Sequence, residues 1–158
     1  MAQTRVWCFA VLLAVFMVGC GGSEYRFGNS RRLPNLSGKW NVTATSIQMS
    51  QQFQGVANLA QVNNGLQGTM TNLFTYCAAS ATVGGALNPV SGFNASSVNS
   101  YGVDAMLQED VSSGSAPQAI ELIGSASADG THMSGVYQAS AGSCTTGDSG
   151  TWVANKAD

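Results

Sequence analysis

The chain has 158 residues, only 9% of them charged, with six Lys and Arg against eight Asp and Glu. From Leu36 onward two basic residues, Lys39 and Lys156, face seven acids, a net of −5. With no basic stripe this part lacks the electrostatic footing of nucleic-acid binding. Its surface falls to Ser, Thr, Asn, Gln and Gly, which suit strands and turns better than helices. The first element along the chain is apolar. Arg5 is followed by Val6 to Val18 without a charge, 13 residues in all. As a helix these would span roughly 20 Å, short of a bilayer core of about 30 Å, so they read as the h-region of a secretory signal and not as a membrane span.

The run ends in Met17-Val18-Gly19-Cys20-Gly21. A cysteine behind a small residue at that point resembles the lipobox of bacterial type II signal peptides, with Met17 where Leu is usual. The resemblance implies that residues 1–19 are a signal peptide, cut before Cys20, and that Cys20 carries a diacylglyceryl thioether. Its two acyl chains make the anchor lasting, because one chain binds a membrane only marginally and two or more hold, and a third chain commonly follows on the new amino terminus. The competing reading is a type I signal with an incidental cysteine, although such signals end in A-x-A-like sequences. Gly21, where an aspartate would retain an enterobacterial lipoprotein at the inner membrane, points to the outer membrane of the cell envelope. Residues 20–35 then read as a lipidated flexible tether, punctuated by Gly21-Gly22-Ser23, Gly28-Asn29-Ser30 and Pro34. Arg26, Arg31 and Arg32 either hold it near anionic head groups, at about 1 kcal/mol per basic residue, or are solvated linker charges.

Residues 36–158 have room for one domain with one core. Once Cys8 leaves with the signal and Cys20 is lipidated, Cys77 and Cys144 remain. Outside the inner membrane such a pair is expected to be a disulfide. Closing a loop of that length stabilises the fold by about 4 kcal/mol on the chain-entropy estimate. A two-cysteine metal site competes with this. It is short of ligands, since His132 is the only histidine and no C-x-x-C occurs. No cofactor is expected.

The remaining elements are short and regularly spaced. Lys39 to Thr45 alternates, with Trp40, Val42 and Ala44 on one face. Val56 to Val62 and Leu66 to Asn72 flank Asn63-Asn64-Gly65, and an Asn-Gly turn between alternating runs predicts a hairpin, with positive φ at both turn positions. Ala79 to Leu87, Phe93 to Val98 and Val103 to Gln108 follow. Ala119 to Ala126 and His132 to Ala139 form a second hairpin around Asp129-Gly130, and Gly150 to Asn155 closes the set. About eight strands at this density predict an all-β fold, a small antiparallel up-and-down barrel or a related sandwich. Leu66-Gln67-Gly68, Leu122-Ile123-Gly124 and Met133-Ser134-Gly135 each place Gly two residues after a large apolar residue. Glycine inside strands predicts sharp curvature or packing against an aromatic ring, which favours closure.

Gly38-Lys39-Trp40 opens the first strand and Gly150-Thr151-Trp152 opens the last. A G-x-W on strand one resembles the calycin barrels, which include lipocalins and avidins. That resemblance implies an up-and-down barrel closed by its first and last strands, with a late basic side chain, here Lys156, across Trp40. The Leu-Ser-Gly-x-Trp start and Cys-x-x-Gly-Asp-Ser-Gly-Thr-Trp finish also look like small bacterial lipoproteins to which no activity attaches.

Gly147-Asp148-Ser149-Gly150 is similar to the nucleophile segment of chymotrypsin-like proteases. That chemistry needs a histidine base oriented by a buried acid. The sole candidate, His132, lies 17 residues earlier on a hairpin strand. A turn before the last strand accounts for the segment better. Glu109 with Glu121 is the remaining pair for glycosidase chemistry, and Asp104, Glu109 and Asp110 lack the D-x-D-x-D-G spacing of a calcium loop. Solvated surface acids are the plainer reading of all of them. Trp40, Trp152 and Tyr137 are the candidate lining of a ligand site, because a barrel of eight strands is either just filled by side chains or holds one small ligand. The expectation is a non-enzymatic binding module for a small apolar molecule or envelope component, with a structural or inhibitor-like interaction protein as the alternative and a hydrolase last.

Overall fold

The computed structural model describes residues 32–72, 78–88, 100–110, 118–141 and 147–158. They build eight strands: β1 (Gly38–Ser46), β2 (Gln52–Val62), β3 (Gly65–Thr71), β4 (Ser80–Asn88), β5 (Ser100–Glu109), β6 (Ala119–Ser127), β7 (His132–Ala139) and β8 (Asp148–Lys156). Each pairs antiparallel with the next, and β1 pairs with β8, so the sheet is a closed up-and-down barrel and not a sandwich. Closure leaves no unpaired sheet edge.

Alternation decides what faces inward. In β5 Tyr101, Val103, Ala105, Leu107 and Glu109 are buried, while Asp104, Met106 and Gln108 are exposed. β1 does the same with Trp40, Val42, Ala44 and Ser46. The strands overrun their expected limits where a neighbour offers hydrogen bonds. β2 starts at Gln52 because Gln52 to Gly55 pair with Thr45 to Val42. The β2–β3 turn differs from expectation. Val62 pairs with Gly65, so Asn63-Asn64 form the turn, and of those two only Asn63 has positive φ (57°). Asparagine visits that region more readily than other side-chain-bearing residues, so the turn does not need the glycine. At the β6–β7 turn Gly130 does take the positive φ, at 70°.

Gly124 of β6 and Gly135 of β7 stand opposite each other. A Cβ at Gly124 would fall on the Ser134 carbonyl and come within 2.9 Å of Trp152 Cζ2, and one at Gly135 would fall on the Ile123 carbonyl. The glycines let β6 and β7 bend closely around the indole, as the repeated pattern predicted.

One end of the barrel carries the start of β1, the β2–β3 and β6–β7 turns and the end of β8. Residues 33–36 pack there, with Pro34 and Leu36 buried and Leu33 partly so. Backbone groups of this segment are held by side chains of the barrel: Gln61 Oε1 accepts from Leu36 N (2.7 Å), and Lys156 Nζ donates to Asn35 O (2.8 Å). Tyr101 Oη donates to Arg32 O at 3.0 Å. At the opposite end β3 finishes and β4 starts, as do β7 and β8. Cys77 and Cys144 belong to those two connections. Both cysteines, the expected strand Phe93 to Val98, and residues 1–31 with Cys20 lie outside the described residues.

Candidate functional site

The barrel interior is the first candidate. Trp40 is fully buried near the end covered by Leu36, and its Nε1–H donates to Leu36 O at 2.8 Å. Lys156 Nζ lies 5.6 Å from the centroid of the Trp40 ring, the place its resemblance assigned to it. Trp152 enters from β8, its Nε1–H donating to Val136 O at 3.0 Å. Both indoles line one internal void of about 40 Å³, whose other walls include Met70, Val83, Leu107 and Met133. For scale, one water probe needs about 10–15 Å³, and an apolar cavity that takes benzene has about 150 Å³. Where the described residues line it, the interior is therefore nearly filled by side chains.

Tyr137 is also inside but away from this void. It belongs to a polar cluster near the far end, where its Oη–H donates to Asp148 Oδ2 at 2.6 Å. Asp148 Oδ1 accepts from Ser46 Oγ (2.7 Å) and from the backbone N–H of Ser149 (2.8 Å). Ser46 Oγ in turn accepts from Met49 N, which ties the β1–β2 loop to the start of β8. Burial, then the hydrogen bond and charge of Asp148, hold the Tyr137 phenol far above its usual value of 10. The Gly-Asp-Ser-Gly segment thus acts as a strand-entry clamp, with Asp148 satisfying two hydroxyls of the barrel wall.

The catalytic groupings do not form among the described residues. His132 stands opposite Asn155, with Nδ1 2.9 Å from its Oδ1, whereas Ser149 stands opposite Gln138. Six residues of β7 separate these positions, roughly 20 Å at about 3.3 Å per residue. Glu109 is buried with its side chain inside the barrel, while Glu121, opposite Met106 and Gln138, lies on the outer face. Two acids on opposite sides of a sheet cannot flank one bond. Asp104 and Asp110 are exposed, and Asp110 accepts from Ser80 Oγ at 3.0 Å.

The outer surface is uneven, which the sequence reading missed. On β1 to β4 it consists mainly of Thr, Asn and Gln, with Val62 at the end of β2 the one large apolar side chain well exposed among the described residues there. On β5 to β8 it carries Met106, Ile123, Val136 and Val153, joined by Ile47 from the β1–β2 loop. A readable signal was present. Met106-Leu107, Leu122-Ile123, Val136-Tyr137 and Trp152-Val153 are adjacent large apolar pairs. In a strand of period two, one member of each must point to solvent.

Fold and site together define a closed eight-stranded antiparallel barrel that, among the described residues, has an almost filled apolar interior and an apolar stretch of outer wall on β5 to β8. No family model, curated protein or solved structure matches this chain.

Proposed function

We propose that this is a lipid-anchored protein of the bacterial envelope, held through Cys20, whose barrel is a non-enzymatic binding module that takes an envelope component on its outer wall. The single observation that carries the choice of outer wall is the interior volume. Among the described residues the apolar void around Trp40 and Trp152 holds about 40 Å³, whereas pockets of about 300 Å³ or more are usual for a drug-sized or acyl ligand. The connections that carry Cys77 and Cys144 leave the same end of the barrel, which supports their pairing as a disulfide.

A second reading, an apolar ligand inside the barrel, draws on the void's wholly apolar lining around Trp40 and Trp152. Native mass spectrometry of the protein purified from its own envelope separates the two. A polypeptide mass with no retained small molecule is expected, and a stoichiometric retained ligand would shift the assignment to the interior. The anchor is tested separately: Cys20→Ser should release the protein from membranes, and continued membrane attachment would mean that residues 6–18 are an uncleaved anchor.

A further inference from the structure

The pairing register lays the outer wall out as a grid. One row runs Asp104, Ile123, Val136, Thr151 across β5 to β8, and the next runs Met106, Glu121, Gln138, Ser149. Val153 lies in the row on the other side of the first, opposite Ser134, and Ile47 N–H donates to Ser149 O, which seats Ile47 beside the second row. Ile123 and Val136 are therefore direct cross-strand neighbours, exposed by 51% and 55%, and Ile47 is exposed by 71%. Between Ile47 and this pair lies an open groove of about 260 Å³ whose floor includes Gly150 and Gln138. Four strands at about 4.8 Å spacing make the patch roughly 15 Å wide. Contiguous exposed apolar surface rimmed by polar residues marks an interaction site far more often than scattered single residues do.

Charge selects the occupant. Asp104 stands beside Ile123, and Glu121 stands between Met106 and Gln138. Neither carboxylate has a hydrogen-bond or ion-pair partner among the described residues. A second copy docked by a two-fold axis would bring the same acids toward each other on a domain that is already acidic, and anionic lipid head groups would meet the same repulsion. An apolar patch rimmed by Lys or Arg complements the surface at both its centre and its edge.

We propose that the wall formed by Met106, Ile123, Val136, Val153 and Ile47 is a docking surface for an envelope protein that presents an apolar patch bordered by basic residues. This rests on the outer-wall reading above and names its partner's chemistry. The test uses the full chain in its own host, with a photoreactive benzophenone amino acid in place of Thr151, beside Val136, or of Asn58 on β2 as a control. Thr151 is expected to cross-link to one envelope protein, at a site that peptide mapping places among apolar residues flanked by Lys or Arg. Asn58 is expected to give no such product. The double variant Asp104→Lys, Glu121→Lys should lower the cross-link at least tenfold while keeping the thermal melt, and reversing the partner's basic residues should restore it. Val136→Thr provides a second, milder variant expected to weaken the product. Equal products from both positions, a cross-link to a second copy or to lipid, an acidic mapped site, or no product at Thr151 would each overturn the proposal. Absence of product together with a ligand-free native mass would refute this docking surface alone. A retained ligand would instead refute the outer-wall reading.

Discussion

Replacing Leu36 with Ala tests whether the segment before β1 belongs to the core. Leu36 is 0% exposed, its N–H is held by Gln61 and its carbonyl by the Trp40 indole, so it cannot simply swing away. The substitution removes three carbons, worth about 2.4 kcal/mol at roughly 0.8 kcal/mol per buried methylene. Incomplete collapse of the space adds to this, since residual cavity costs about 24 cal/mol per Å³, and the measured range for such changes is about 2.7–5 kcal/mol. A loss toward the lower part of that range, about 3 kcal/mol, is expected. For a unit from Arg32 to Asp158 this lowers the melting temperature by roughly 10 °C, between the per-kcal shifts of smaller and larger domains. Urea denaturation followed by tryptophan fluorescence measures it, with Trp40 reporting directly. A loss below about 1 kcal/mol, with an unchanged slope against urea, would refute the placement of Leu36 in the core and reduce residues 33–36 to a surface tail.

Gly124→Ala should destabilise by about 1–3 kcal/mol or more, because its methyl meets the Ser134 carbonyl and the Trp152 ring. Gly84→Ala, with open space around the new Cβ, should instead be neutral or gain up to about 1 kcal/mol. Equal effects in a thermal melt would contradict the close β6–β7 approach. Tyr137→Phe should cost about 1–3 kcal/mol, since it strips a donor from the buried side of Asp148. In the native protein the folded Tyr137 keeps its proton above pH 10, where the unfolded chain loses it, so the group's contribution is complete below pH 10 and declines as the pH rises further. A pH series of melts should show that alkaline loss shrinking in the Phe variant. Asp129 accepts from the Ser127 and Thr131 hydroxyls and from Thr131 N–H, which lowers its pKa below the ordinary 3.8. An NMR titration should place it there, and a value at or above 3.8 would break the β6–β7 turn description.

Much of the fold was legible because a closed barrel is dictated locally. Alternating residues, Asn and Gly at the turns and Gly-x-Trp at both ends define strands, connections and closing pair from short stretches, and β1 and β8 pair as those ends implied. Leu33 to Leu36 were harder to read. Their Gly/Ser-rich approach and Pro34 look like linker, and the partners that hold them, Gln61, Tyr101 and Lys156, are far away in sequence. Tyr137 joined the candidate lining with Trp40 and Trp152 by its size, but a hydroxyl follows its acceptor, and Asp148 holds it at the other end.

The sequence by itself determined the strand count, the two hairpins and the alternation that sends Trp40 and Trp152 inward, because these depend on residues within a few positions of one another. Only the tertiary structure decided how much space remains inside and which outward residues become neighbours. Volume is the difference between a closed wall and everything packed within it, and the cross-strand row of Asp104, Ile123, Val136 and Thr151 exists only once register has aligned four strands.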